Sequence, residues 1–331
     1  MTQPLVAITR GVPTHDDAPP VIAGCRVKIA PDEPQMTRAQ LLDFVRGATC
    51  VVTMFHDRVD AEFLDAAGPQ LRGVCNFAVG VDNIDLKLCA ARGVTVTNTP
   101  DAVTEGTANM AWALMLATAR RLIEADAYAR SGAWAKHGNG FPKGWMGMHL
   151  TGQTLLIVGA GRIGKAVALR GLAFGMRIAY VARSRKLEWE LAPLAAQRVT
   201  LEEGLALADV VSVHTPLTEQ TRHLLNEKNL KLIKPSAIVI NTARGPVIDE
   251  AALAKVLREK KIWGAGLDVF EHEPKVHPEL VGLSNVVMSP HIGSSERKYR
   301  VMMGEMACAD AGAIARAERA VHIVRAEPTS A

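Results

Sequence analysis

The chain is poor in cysteine, in charge of one sign and in long apolar runs. Each shortage removes a class of function. Five cysteines occur in 331 residues, Cys25, Cys50, Cys75, Cys89 and Cys308. An odd number with no Cys-x-x-Cys speaks against a disulfide frame and against a zinc site, so no bound metal is expected. It fits free thiols in a reducing cytoplasm. Lys and Arg number 38 against 34 Asp and Glu, a scattered net charge of +4. That balance predicts neither a nucleic-acid partner nor a membrane-surface partner. No apolar run reaches the roughly 18 residues of a spanning helix. The first ten residues, Met1 to Arg10, lack the basic segment, apolar core and cleavage site of a signal peptide, and a cytoplasmic location is the expectation.

What is present reads as globular. Apolar residues make up 48% and charged residues 22%, and at roughly 150 residues per domain the length predicts about two domains. Short apolar runs alternate with amphipathic stretches. Leu5–Thr9, Arg26–Ala30, Cys50–Met54, Leu71–Ala78 and Val94–Asn98 read as strands, with a helix over Thr37–Arg46. A second series has strands at Thr154–Val158, Arg177–Val181, Val210–His214, Ala237–Asn241, Gly264–Asp268 and Asn285–Ser289, with helices such as Ile163–Phe174 and Glu250–Lys260. Such alternation predicts an α/β protein whose parallel sheets are covered on both faces. Between the series, Thr104–Arg130 reads as one long helix with Ala108, Ala111, Trp112, Met115, Leu116 and Ala119 on one face. Ser131–Leu150 has no clear period and reads as loop. The last helix, Glu296–Arg316, has no second-series strand to follow it and is expected to return to the first domain. The tail after Val324 reads as frayed.

Leu155-Leu-Ile-Val158 runs into Gly159-Ala-Gly161-Arg-Ile-Gly164 and then a helix. The first glycine permits the tight turn, the second lets a pyrophosphate reach the backbone, and the third lets helix and strand pack closely. Gly159, Gly161, Arg162, Ile163 and Gly164 are therefore candidate cofactor residues. The overlapping Gly159-x4-Gly164-Lys165 lacks the Ser or Thr of a nucleotide-triphosphate loop, because Ala166 follows. The next strand ends in Val181-Ala182-Arg183-Ser184-Arg185-Lys186. An acid there would bind both ribose hydroxyls of NAD(H). Ala182 and three following cations favour NADP(H) instead, with Arg183, Ser184 and Arg185 for the 2′-phosphate, while NAD(H) stays possible.

Three later strand ends each carry one polar group: Arg244, Glu273 before Pro274, and His291. Singly they read as a surface charge, a turn cap and a satisfied histidine. Together, on the edge where open α/β sheets bind ligands, they form an acid–base and anion-binding set.

Asn76-Phe-Ala-Val-Gly-Val-Asp-Asn-Ile-Asp85, Thr97-Asn-Thr-Pro-Asp101, the glycine turn, Asn241-Thr-Ala-Arg-Gly245, Gly266-Leu-Asp-Val-Phe270 and Pro290-His-Ile-Gly-Ser294 follow one another in order. With these motifs the chain resembles the D-isomer-specific 2-hydroxyacid dehydrogenases from Val51 to about Met306. Trp145-Met-Gly147, Ala243–Asp249 and Arg183–Lys186 are similar to the glyoxylate/hydroxypyruvate reductases, including the branch that reduces 2-ketogluconate. The resemblance implies a Rossmann cofactor domain, 103–290, inserted into a flavodoxin-like substrate domain, 1–102 plus 291–331, with a cleft between them, and a homodimer. It implies His291 as general acid, Glu273 as its partner, and Arg244 as the clamp on a small 2-oxo acid. The backbone amides of Val79 and Gly80 would take the carboxylate, with Met54, Ser294 and Trp145 near the substrate. Thr107, Thr215, Pro216, Thr221, Thr242, Ala243, Asp268, His291 and Gly293 would line the cofactor. Trp145 reads equally as interface packing, and Asn109 stands where the family usually has an acid. Related phosphite dehydrogenases carry Lys at the place of Val79, and formate dehydrogenases Gln at the place of Glu273. Two further readings stay open: a dehydrogenase of another D-2-hydroxy acid that uses NAD, and a non-catalytic dinucleotide sensor resembling the family's corepressors.

Overall fold

The computed structural model describes residues 3–138, 140 and 144–325. The predicted fraying of the tail falls, from residue 326 on, outside these residues, as does part of the predicted loop at 139 and 141–143. The chain forms two compact units: one runs up to Val103 and resumes at Ser294, and the other is Thr104–Gly293.

The first unit contains β1 (Leu5–Ile8), β2 (Arg26–Ile29), β3 (Cys50–Met54), β4 (Gly73–Phe77) and β5 (Thr95–Thr97). All pairings are parallel and the order is β2-β1-β3-β4-β5, the flavodoxin-like arrangement. β3 and β4 are buried along their whole length, which is why they read as largely apolar runs, interrupted by Thr53 and Asn76. The helices between strands start on side-chain caps: Thr37 with Gln40 in a capping box, Asp60 and Asp85. Each such cap contributes about 1 kcal/mol. The helix Arg297–Ala315 packs on β4, β3 and β1 of this unit.

The second unit contains β6 (Thr154–Val158), β7 (Arg177–Val181), β8 (Gln197–Arg198), β9 (Val210–Val213), β10 (Ile238–Asn241), β11 (Gly264–Leu267) and β12 (Val286–Met288). Its parallel order, β12-β11-β10-β9-β6-β7-β8, is a Rossmann sheet with one strand added at the β12 edge. The order reverses between β6 and β9, so a crevice opens at their carboxyl ends, where such sheets bind ligands. Leu155, Leu156, Ile157 and Val158 on β6 are fully buried. The helix Thr104–Ala119 packs on β10, β11 and β12 and on the helix Arg162–Ala173. Its burial extends beyond the single predicted face to Leu114, Ala117 and Thr118.

Two expectations need correction. The helix predicted over Thr104–Arg130 ends at Ala119 and a separate helix covers Leu122–Arg130. Arg121 breaks it with a left-handed backbone, φ 53. Its guanidinium binds Glu124 and the Gly144 carbonyl, and the returning chain caps the end of the first helix through Met148 N–H on the Ala119 carbonyl at 2.8 Å. The stretch read as loop also holds a short helix, Ala133–His137. β8 went unseen because both of its residues are exposed and carry no apolar signal.

Candidate active site

The glycine turn joins β6 to the helix Arg162–Ala173. Gly159 has φ +110, and a Cβ there would stand 2.7 Å from the His214 carbonyl at the end of β9. At Gly164 a Cβ would strike the Gly159 carbonyl and lie 2.8 Å from Ile157. At Gly161 it would meet nothing within 4 Å, and no side chain caps the helix that begins at Arg162 and Ile163. The turn therefore leaves open space at helix amides that carry partial positive charge, as a pyrophosphate needs. Beside it, Thr215 Oγ1, Thr242 Oγ1 and His214 Nδ1 are buried with no hydrogen-bond partner among the described residues. Burial pushes the His214 imidazole down to about 3, so it stays neutral. Buried polar atoms without partners cost free energy unless a ligand completes them. These residues fit a dinucleotide.

The other candidates divide. Thr107 is buried close to Gly293, and Pro216 and Ala243 follow β9 and β10. The Thr221 hydroxyl is spent locally: it donates to the Pro216 carbonyl at 2.6 Å and accepts from Thr218 N–H at 2.8 Å. Past β7, Arg183 and Ser184 are exposed. Arg185 is paired with Glu190 at 2.5 Å, and Glu190 also accepts from the Tyr180 hydroxyl at 2.8 Å. Arg198, which the sequence did not single out, reaches over the end of β7 to the Ala182 and Arg183 carbonyls at 3.4 and 3.5 Å. Asn109 accepts at 2.9 Å from Arg170, which also pairs with Glu105 at 2.6 Å, so the missing acid is supplied one helical turn earlier.

Arg244 follows β10 in a turn held by Asn241. The Asn241 amide donates to the Arg244 carbonyl at 3.0 Å, and its oxygen accepts from Ala243 N–H at 3.0 Å. A Cβ on Gly245 would run into the Phe270 carbonyl, so the loops after β10 and β11 lie backbone to backbone. Glu273, on the second of these loops, accepts from Phe270 N–H at 3.0 Å through Oε1 and from His291 Nδ1 at 2.8 Å through Oε2. Burial pushes the Glu273 carboxyl up, but the His291 hydrogen bond and charge, the Phe270 amide and the Arg244 charge outweigh it and leave it below its usual value. His291 itself has φ 53. Asp268 holds that turn, accepting from Ser289 Oγ, Ile292 N–H and Gly293 N–H at 2.6, 2.9 and 2.7 Å. Burial raises its pKa against these bonds.

Glu273, His291 and Arg244 thus form one electrostatic group. The depressed Glu273 pKa fixes a sign. The stabilisation it represents is complete above the unfolded carboxyl's pKa and disappears as pH falls through the lower folded one. Glu273→Gln should therefore lower stability by no more than about 1 kcal/mol at neutral pH, since the pair is partly exposed. The difference from the parent should vanish in acid. Thermal unfolding across pH checks this, and a gap that widens in acid contradicts it.

In the first unit, the loop after β4 carries Val79 and Gly80. Met54 is buried at the end of β3, and its N–H donates to Asp57 Oδ2 at 2.8 Å. Ser294 is half-buried where the chain re-enters this unit. Trp145 belongs to the second unit and packs there, its ring centroid 5.2 Å from Tyr128, with the Arg121 guanidinium 5.1 Å above it. Among the described residues no group of three or more His, Cys, Asp or Glu could hold a metal ion, and no helix is long and apolar enough to cross a membrane.

The family model for the D-isomer specific 2-hydroxyacid dehydrogenase NAD-binding domain matches residues 112–293. A glyoxylate reductase of Thermococcus onnurineus is 49% identical over 305 residues, covering 92% of this chain and 90% of that protein. A crystal structure of a Thermus thermophilus protein superposes with TM-score 0.87 at 41% identity, covering 97% of this chain and all of that one. The structure of an NADPH-dependent glyoxylate/hydroxypyruvate reductase from Sinorhizobium meliloti, in complex with NADP and malonate, gives TM-score 0.82 at 31% identity over 98% of this chain and 97% of that one. With its flavodoxin-like and Rossmann sheets, its dinucleotide turn and these relatives, the chain belongs to the D-isomer-specific 2-hydroxyacid dehydrogenase family of nicotinamide-dependent oxidoreductases.

Proposed function

We propose that the protein reduces small 2-oxo acids, glyoxylate and hydroxypyruvate first and 2-ketogluconate as a bulkier member, to D-2-hydroxy acids with NADPH. The observation that carries this reading is the His291–Glu273 hydrogen bond beside the Arg244 charge, in the sheet that carries the dinucleotide turn. When bound, the reduced nicotinamide supplies a hydride from its C4 to C2 of the substrate. Glu273 engages Nδ1 of His291, which fixes the ring, and the proton passes from Nε2 to the C2 oxygen. Arg244 draws electron density toward that oxygen and orients the carboxylate. The amides of Val79 and Gly80 are the carboxylate's second anchor. Asp268 both buttresses the His291 turn and lines the nicotinamide site with Thr107, Thr242 and Gly293.

The preference for NADPH rests on Arg183 and Ser184 after β7, backed by Arg198, with Ala182 where a ribose-binding acid would stand. Arg183→Ala should weaken NADPH by at least tenfold, the scale of one charge-assisted hydrogen bond, and leave NADH nearly unchanged. Equal losses for both, measured by fluorescence titration, would remove the 2′-phosphate assignment. A homodimer built on the Leu122–His137 arm is part of the proposal, since Leu122, Ile123 and Trp134 are more than half exposed. A cytoplasmic location accompanies it.

The product tests the reaction. Reduction of hydroxypyruvate should yield D-glycerate alone. L-glycerate, or tight NADPH binding without product, would overturn the reading, and the second outcome would favour a dinucleotide sensor.

A further inference from the structure

Val79 and Gly80 sit in a loop where the carbonyls of Ala78, Val79 and Gly80 are all engaged. The Asn98 side-chain amide donates to the Val79 carbonyl at 2.7 Å, Asn76 to the Gly80 carbonyl at 2.8 Å, and Thr99 N–H to the Ala78 carbonyl at 3.0 Å. Thr53 Oγ1 donates to Asn76 Oδ1 at 3.0 Å, which fixes the orientation of that amide. Among the described residues nothing accepts from the Val79 or Gly80 N–H groups. Successive amides left without partners while their carbonyls are tied down make an anion nest.

Asn98 lies one residue beyond β5 and is held from outside. Its N–H donates to the His322 carbonyl at 3.2 Å, Val324 N–H donates to the Val96 carbonyl at 2.8 Å, and Ile323 bridges Thr97 in antiparallel sense. Residues 322–324 thus form a short strap along the free edge of β5. The strap is pinned by Asp310, a carboxylate only 2% exposed in the helix that packs on β3 and β4. Asp310 accepts from Val321 N–H at 2.8 Å and from His322 Nδ1 at 2.9 Å. A buried carboxylate that spends its oxygens on a separate chain segment needs a reason, because the same edge could be closed by backbone pairing alone.

We infer that Asn98, together with the Asp310-pinned strap that holds it, positions the Val79 and Gly80 amides for the substrate carboxylate. This rests on the reading that those amides are the carboxylate site. Asn98 touches no reacting atom. It turns the Val79 carbonyl inward so that the amides face the anion. The strap fixes the Asn98 backbone, so a loss at Asp310 is felt at the loop through Asn98.

Oxamate, a 2-oxo-acid isostere that is not reduced, serves as probe on the NADPH-bound full chain. In ¹⁵N spectra of the parent protein its addition should move the Val79 and Gly80 amide signals downfield. Asn98→Asp keeps the shape but replaces the donor with an acceptor facing the Val79 carbonyl. It should raise the oxamate Kd and the glyoxylate KM about tenfold, the scale of one hydrogen bond, with NADPH affinity unchanged and kcat reduced much less. Asp310→Asn, which keeps one acceptor, should raise both constants severalfold. Parent-like ¹⁵N signals from β1, β3 and β4 of the first unit in the same samples show that each variant is folded, and NADPH binding shows the same for the second. If the Val79 and Gly80 signals move but both variants keep the parent's oxamate Kd and merely melt lower, the strap is structural only and the inference fails. If those signals do not move, the carboxylate reading itself fails, and the inference with it.

Discussion

Replacing His291 is expected to lower glyoxylate turnover by about three orders of magnitude, within the usual range for loss of a positioned general acid, while NADPH binds as before. Two devices hold the imidazole. The Glu273 carboxylate bonds its Nδ1 at 2.8 Å, and Asp268 clamps the turn that carries it. The backbone at residue 291 is left-handed, φ 53, a region that asparagine and glycine tolerate better than other residues. His291→Asn therefore tests the chemistry without added backbone strain, and His291→Ala tests both. Both variants should lose turnover alike. If His291→Asn kept near-parent turnover, the proton would come from elsewhere and the acid assignment would be wrong.

Arg244→Ala should be comparably severe, with kcat/KM down by about three orders of magnitude, the cost of removing a charged donor from a developing oxyanion. Arg244→Lys should recover little, because an ammonium cannot reproduce the planar two-donor contact. The substitution to Ala also removes a positive charge from beside Glu273, whose pKa that charge helps to lower. The carboxyl should then rise toward its ordinary value, and the acid edge of whatever activity remains should move to higher pH. Steady-state kinetics across pH reads both effects. A variant with raised KM, unchanged kcat and an unmoved acid edge would show that Arg244 merely binds.

The strands were legible because a sheet covered on both faces needs continuous apolar runs. β3, β6 and β7 match the expected boundaries residue for residue. The break at Arg121 was not legible, since the apolar pattern continues through Leu122 and Ile123 although both are exposed there. What stops the helix is a chain return nearly thirty residues later, at Met148. The glycine turn could be read because each glycine answers a steric demand that sequence spacing records. The supports of the site could not. In the sequence Asn76, Asn98 and Asn241 fall within or at the ends of runs read as strands, and only the fold shows their amides fixing the loops of Gly80, Val79 and Arg244. Asp268 was read as a cofactor-lining residue, and its three bonds to the His291 turn depend on contacts across twenty-odd residues. At Arg185 the charge alone did not reveal that Glu190, five residues on, pairs with it.

The account is tested most directly by mixing the purified protein with hydroxypyruvate, glyoxylate or 2-ketogluconate and following NADPH and NADH oxidation in parallel. Fast oxidation that favours NADPH, abolished by His291→Asn, is the expected result. Tight NADPH binding with no oxidation on any of the three acids would contradict it.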